Sequence, residues 1–222
     1  MKKFLPNLLI TILVATGIFC FSPAQSQNEF GVKGGAIKSG INDKIQSSLF
    51  DFGTRSGEVL GIYYKKENIW GLIGIQTEFL YQAKGGTYNI RYLPSEPNET
   101  ASFYSSDYGY ENPDRNYWLK KPQRYHYFSI PILASLSPLK ILDVYAGPEL
   151  NYMFANSSTD YTEWKPNRMG IGLAAGVALK IDTNTKLDIR YSRDLTRVAD
   201  FGDTDIKNYS WAFTVQRAIF KK

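Results

Sequence analysis

The chain has 222 residues, enough for one domain with a substantial core. Its net charge of +5, with no basic run longer than two residues, is too mild to argue for nucleic acid. Aromatic residues make up 15%, 16 Tyr among them, beside one His and one Cys.

Lys2 and Lys3 precede an apolar run from Phe4 to Phe21, followed by the small residues Ser22, Ala24 and Ser26. That order predicts a signal peptide over 1–24, cleaved to leave a mature barrel domain over 25–222 that starts at Gln25 or Gln27. Its loss takes the net charge to +3 and removes Cys20, leaving no thiol for a disulfide, a metal or a nucleophile. Phe19 before Cys20 argues against a lipoprotein anchor there. Beyond Phe21 no run approaches the ~20 apolar residues of a membrane helix, so any span in the mature chain must be a strand.

Taken in order, the mature chain reads as eight strands. Glu29–Ala36 places Phe30 and Val32 on one face and Lys33 on the other, before a connector at Lys38–Gly53. Glu58–Lys65 has Leu60, Ile62 and Tyr64 on its oily face, and Lys66–Asn68 is a short turn. Ile69–Gln82 alternates Ile73, Ile75, Phe79 and Tyr81 with Gln76, Glu78 and Gln82. Ala83–Arg124 is a long, Tyr-rich polar loop whose ends, Tyr88–Tyr92 and Lys121–Tyr125, extend the flanking strands. Tyr125–Ser135 is the fourth strand, with an awkward Pro131, since proline lacks a ladder donor. Leu136–Leu139 is a turn and Ile141–Phe154 the fifth strand, with Val144, Leu150 and Tyr152 against Asp143, Tyr145, Glu149 and Asn151. After a polar connector, two strands meet at the turn Asp182-Thr183-Asn184. The last strand, Lys207–Phe220, carries Tyr209, Trp211, Phe213 and Val215 on one row.

The pair around Asp182 settles which face is which. Ile171, Leu173, Ala175, Val177, Leu179 and Ile181 share one face; Gly170, Gly172, Ala174, Gly176, Ala178 and Lys180 share the other. In the next strand Leu187, Ile189 and Tyr191 oppose Lys186, Asp188, Arg190 and Ser192. Period two means strand. Charges opposed by Gly and Ala suit a confined polar lumen, with the bulky apolar row turned to lipid. The expected fold is therefore an all-β, eight-stranded, antiparallel, up-and-down transmembrane barrel in a bacterial outer membrane. Connector lengths alternate long and short, which puts both termini in the periplasm. In that topology Tyr81, Tyr125, Tyr152, Tyr191, Tyr209 and Trp211 fall at outer strand ends and Phe30 and Tyr64 at inner ends, as aromatic girdles.

The inward rows place Lys33, Glu78, Asp143, Glu149, Lys180, Lys186, Asp188 and Arg190 in or near the lumen. Charges in so narrow a space must pair, and a structural plug is the expected outcome. The expected partners are Glu78 or Glu149 for Lys33, and Asp188 or Glu149 for Arg190. His126 with Ser129 and Asp107 or Asp114 has no catalytic spacing. Asp200, Asp203 and Asp205 lack an EF-hand arrangement, and the Gly170–Gly176 run lacks the context of a dinucleotide fingerprint. No catalytic, cofactor or metal site is expected. Outer-membrane lipid is the expected partner, met at the outer rim by Arg193 and Arg197, with loop 83–124 available to another envelope protein through its Tyr and Trp rings. A narrow transport pore and a soluble periplasmic ligand-binding barrel are the alternatives.

Several segments resemble a known family. Phe30-Gly31-Val32-Lys33-Gly34-Gly35, the run Glu78–Gly86, Tyr127–Leu133 with Pro131, Tyr145-Ala146-Gly147-Pro148 and Arg190–Leu195 are similar to strands of the PorT-like outer-membrane β-barrel proteins of Bacteroidetes. The resemblance spans nearly the whole mature chain. It implies an eight-stranded outer-membrane barrel and accounts for Pro131 as a usual family position. The founding member is an accessory of a protein secretion and gliding machinery; most relatives have no assigned role and none supplies catalytic residues. One departure is the end of the chain, where Phe220 is followed by Lys221-Lys222.

Overall fold

Alternating side chains dictate strands, and strands in lipid must close on themselves, because no unpaired backbone group can be left in hydrocarbon. A computed structural model describes residues 28–42, 50–70, 73–92, 117–158, 165–197, 199–201 and 204–222. The expected signal peptide and the centre of the loop 83–124 lie outside these residues. The strands are β1 (Asn28–Asn42), β2 (Phe50–Trp70), β3 (Ile73–Tyr92), β4 (Tyr117–Leu139), β5 (Leu142–Ser158), β6 (Lys165–Pro166), β7 (Met169–Lys180), β8 (Thr185–Asp194), β9 (Ala199–Phe201) and β10 (Thr204–Lys221). The barrel runs β1-β2-β3-β4-β5-β7-β8-β10, each neighbour antiparallel, and closes by pairing β1 with β10 from Glu29↔Lys221 to Asn42↔Lys207. The short β6 and β9 make a small annex on the start of β10.

The barrel is inside-out. Leu173, Ile189 and Val144 are 53%, 42% and 39% exposed on the outer wall, whereas Glu78 and Arg190 are 4% and 2% exposed within. A soluble barrel would reverse these rows, so that alternative does not describe this fold.

Three boundaries differ from the sequence reading. β2 runs past the expected turn at Lys66–Asn68 to Trp70, with an irregular register between Lys66 and Trp70, so Ile69 belongs to β2. β4 continues through Leu136–Leu139, with a register shift there, and the turn is Lys140–Ile141. The connector 38–53 is largely strand, since β1 reaches Asn42 and β2 begins at Phe50. The ends of the 83–124 region extend the flanking strands as expected and pair beyond the expected segments, continuously from Ala83↔His126 out to Tyr92↔Tyr117. Such extensions rise past the ~9–11 residues that cross the hydrocarbon, where neither face needs to be apolar and alternation fades. Pro131 is buried on the inner row and pairs with Glu149 of β5, while β4 meets β3 at Ser129 and Ile132 on either side of it.

The short connections β2–β3, β4–β5 and β7–β8 and both described chain ends share one rim, the turn end; the opposite rim is the loop end. In the β7–β8 turn, Asp182 Oδ1 accepts the N–H groups of Asn184 and Thr185 at 2.7 Å each. These bonds hold its carboxyl below the usual carboxylate range.

The lipid face predicts a depth-dependent penalty. Val177→Arg, mid-strand and outward, is expected to destabilise the protein by about 2–4 kcal/mol, and Ile181→Arg at the turn end by about 0–1 kcal/mol. Reversible unfolding from lipid vesicles measures both; equal penalties would contradict the assignment.

Candidate functional site: a three-tiered charge network in the lumen

Eight strands enclose a space just wide enough for side chains, and here they fill it in three tiers ordered by strand position. At the turn end Lys65 pairs with Asp143 at 2.7 Å and Glu67 at 2.9 Å. Lys180 reaches Asp143 at 3.1 Å, and Lys186 bridges Glu29 at 3.0 Å and Asp143 at 3.5 Å. Tyr63 donates to the other oxygen of Glu29 at 2.5 Å, and Ser137 to Asp143 at 2.6 Å.

The middle tier holds two cations against two carboxylates. Arg190 grips Glu78 with both terminal nitrogens, at 2.9 and 2.5 Å, the bidentate geometry that makes such pairs strong. Lys33 sits between Asp188 at 2.7 Å and Glu78 at 3.4 Å. Gln76 donates to Glu78, while Thr214 and the Tyr145 hydroxyl donate to Asp188. The Arg190 guanidinium lies 5.1 Å from the Tyr145 ring centroid.

The upper tier has Lys84 on Glu149 at 2.9 Å, Ser192 on the second Glu149 oxygen at 3.1 Å, and Asn151 donating to Asp194 at 3.0 Å. Among the described residues Asp194 is the one lumen carboxylate with no cation within 4.0 Å. Buried apolar groups fill the remaining space: Ile37, Val59, Leu80 and Ala212 on one side, Leu133, Tyr145, Ala174 and Ala178 on the other.

Glycine on the inner rows makes room for the tyrosines. A Cβ at Gly176 would lie 2.5 Å from the Tyr145 hydroxyl, and one at Gly31 would lie 2.7 Å from the Tyr63 ring. In each case the two residues are register partners on neighbouring strands. The bare face of β7 is thus the seat for a side chain from β5 that completes the middle tier.

Of the eight lumen charges expected from the sequence, Lys33, Glu78, Asp143, Glu149, Lys186, Asp188 and Arg190 are buried on inner rows, and Lys180, at the turn end, is half-buried. The pairing differs. Arg190 takes Glu78, not Asp188 or Glu149; Glu149 takes Lys84; and Lys33 takes Asp188 as well as Glu78. Glu29, Lys65, Lys84 and Asp194 join the network beyond those expected. Glu29 and Lys65 lie on the inner rows of strands already identified, so alternation alone could have found them. Lys84 lies two residues beyond the expected end of the third strand, in the region read as loop.

On the outside, Tyr64, Tyr152 and Trp211 are exposed, and Phe30, Tyr81, Tyr191 and Tyr209 are partly so. Tyr191 lies against Trp211 at 5.0 Å, and Phe79, Phe128 and Phe154 stack across β3, β4 and β5 at 5.5 and 4.4 Å. Tyr125 departs from the expected girdle. It is 2% exposed, inward, in phase with Tyr127 and Ser129, because height along a strand does not fix the face and odd positions of β4 point in. His126 takes the outward place, Nδ1 2.7 Å from the Tyr81 hydroxyl and stacked on that ring. Ser129 faces the lumen and donates to Asn151 at 2.5 Å, so His126 and Ser129 lie on opposite faces of β4. Asp107, Asp114 and Asp203 lie outside the described residues. Arg193 and Arg197 are exposed at the loop end. Among the described residues no group of three or more His, Cys, Asp or Glu could hold a metal ion.

A closed antiparallel barrel with an oily wall and an ionised interior defines a transmembrane β-barrel of the outer-membrane class. The chain belongs to the outer membrane protein β-barrel domain family, whose pattern matches residues 24–200. No curated protein matches it in sequence. It is similar in structure to neisserial surface protein A, at 11% identity and TM-score 0.49, over 87% of this chain and 99% of that one. It is also similar to Ail, the attachment invasion locus protein of Yersinia pestis, at 12% identity and TM-score 0.46, over 88% and 100%. OprG from Pseudomonas aeruginosa is similar at 7% identity and TM-score 0.46, over 88% and 98%. The protein is an eight-stranded barrel of the bacterial outer membrane, in contact with its lipid.

Two substitutions separate paired from unpaired lumen charge. Glu78→Gln leaves Arg190 and Lys33 in excess and is expected to destabilise the barrel by about 3–5 kcal/mol. Asp194→Asn removes a carboxylate that has no cation partner and is expected to cause no loss of stability. Urea unfolding of both variants measures the contrast; equal losses would contradict the pairing.

Proposed function

We propose that this protein is a non-enzymatic, non-conducting barrel of the PorT-like kind, a structural or accessory element of the envelope linked to protein secretion. The observation that carries the reading is the filled lumen: Glu149, Ser129 and Leu133 are each 0% exposed, in a space crossed by ion pairs from all three tiers. An ion path needs continuous water, and a lumen of paired side chains supplies none. With signal peptide 1–24 exporting the chain and both termini in the periplasm, the long loop 83–124 faces the outside, where its Tyr and Trp rings contact another envelope protein. Large rings give contact area at low entropy cost, and the β3–β4 pairing out to Tyr92↔Tyr117 carries the strand pair toward them. The lumen network then serves to hold the wall that presents the loop. The aromatic girdles anchor that wall at both interfaces.

Planar-bilayer recording of the purified protein tests the reading. No stepwise conductance is expected, and discrete openings would move the protein to the transport-pore class. Photocrosslinking from Tyr108 in native membranes is expected to give one discrete protein adduct; adducts with lipid alone would remove the partner.

A further inference from the structure

The turn end carries exposed cations that the lumen network leaves largely unused, Lys221 alone among them reaching a lumen acid, Glu29, at 4.0 Å. Along β2 the outward row reads Ile62, Tyr64, Lys66, apolar to aromatic to charged. The β4–β5 turn sets Lys140 between the exposed Leu139 and Ile141. On β10, Arg217 lies between the exposed Val215 and Ile219, and Phe220 is followed by Lys221 and Lys222. All five cations are exposed.

The acids of this end are already committed. Glu29 and Asp143 point inward onto Lys186, Lys65 and Lys180, and Glu67 is held by Lys65. Asp182, close enough to Arg217 to feel its charge, gives Oδ1 to two backbone N–H groups. Lys66, Lys140, Arg217 and Lys222 have no ion-pair partner within 4.0 Å among the described residues. Lys221 donates to the Thr183 carbonyl at 3.1 Å and meets Glu29 only at 4.0 Å.

Their distribution selects the partner. In the order β1-β2-β3-β4-β5-β7-β8-β10 these cations occupy three separate sectors, at β2, at β4–β5 and at β10. A docking protein meets one face, whereas lipid surrounds the wall. Each sector also sits at the edge of the apolar band, within two residues of Tyr64, Leu139 or Ile219, the depth at which headgroup phosphates lie.

We infer that Lys66, Lys140, Arg217, Lys221 and Lys222 form a belt that selects anionic phospholipid headgroups, of the phosphatidylglycerol class, over zwitterionic ones. The inference rests on the transmembrane fold and not on the proposed loop partner or on conductance. A cation at an anionic surface favours association roughly fivefold, and the attraction is screened within a Debye length.

Electron paramagnetic resonance of spin-labelled lipids tests it on the refolded full barrel in phosphatidylcholine vesicles. The relative association constant for phosphatidylglycerol over phosphatidylcholine is expected to be roughly fivefold. It should fall toward one in the variant K66Q/K140Q/R217Q/K221Q/K222Q, and also for the wild type at about 1 M salt, where the screening length is about 3 Å. A charge-conserving variant, K66R/K140R/R217K/K221R/K222R, should keep the preference. No preference in the wild type, a preference that survives high salt, or one that survives in the neutralised variant would each overturn the inference. The salt arm decides the matter even if the neutralised variant does not fold.

Discussion

The constraint on which this molecule rests is charge confinement. An ion moved from water into a narrow, lipid-enclosed cylinder loses solvation worth several kcal/mol, which only a close counter-ion and a full set of hydrogen bonds can offset. The barrel supplies the counter-ions tier by tier, while the Arg190 Nε donor has no hydrogen-bond partner among the described residues. Arg190 and Lys33 stand against Glu78 and Asp188, Lys65 and Lys186 against Asp143 and Glu29, and Lys84 against Glu149. Each contact joins strands far apart in sequence. Arg190 on β8 reaches across to Glu78 on β3, and Lys65 on β2 reaches Asp143 on β5. The network therefore braces the cylinder across its diameter, where the backbone ladder binds only neighbours.

Outside, the hydrophobic effect does not hold strand to strand, because lipid is as apolar as the wall it touches. Stability there comes from the closed ladder, with β1–β10 pairing removing the last edge. The interior is what makes closure specific. Bare positions such as Gly31 and Gly176 admit the rings of Tyr63 and Tyr145, whose hydroxyls finish the coordination of Glu29 and Asp188. A high tyrosine content thus serves two settings: outward rings at the lipid boundary and inward phenols that fill space while donating a hydrogen bond. The cylinder is thereby filled by paired side chains and rings.

Much of this was legible in the chain because a barrel wall imposes period two on every residue that crosses the membrane. Around Asp182 the alternation is so regular that the inside and outside rows can be read directly: Lys186, Asp188 and Arg190 are buried, and Lys180 at the rim is half-buried. Legibility fails where the physical demand relaxes. Beyond the hydrocarbon neither face must be apolar, so the strand ends at Phe50 and Tyr117 have no periodic signature and Lys84 carries no strand signal. Tyr125 shows a different limit, since an aromatic at the right height for the boundary can still point inward when its parity matches Ser129. Partner choice within the lumen was also out of reach. Alternation says that Arg190, Glu78 and Asp188 face one another, but side-chain reach across the cylinder decides that Arg190 takes Glu78 and Lys33 takes Asp188.

Accessibility scanning along β7 tests the central claim most directly, since the one native cysteine, Cys20, precedes the strands and can be replaced. Single cysteines at 171 to 180, spin-labelled in lipid vesicles, are expected to collide with oxygen at 171, 173, 175, 177 and 179. At 174, 176 and 178 they should be shielded from both oxygen and a water-soluble nickel complex. Strong collision with the nickel complex at 174 and 178 would mean a watery channel, and a reversed alternation would mean that the oily row faces inward; either result would contradict the account.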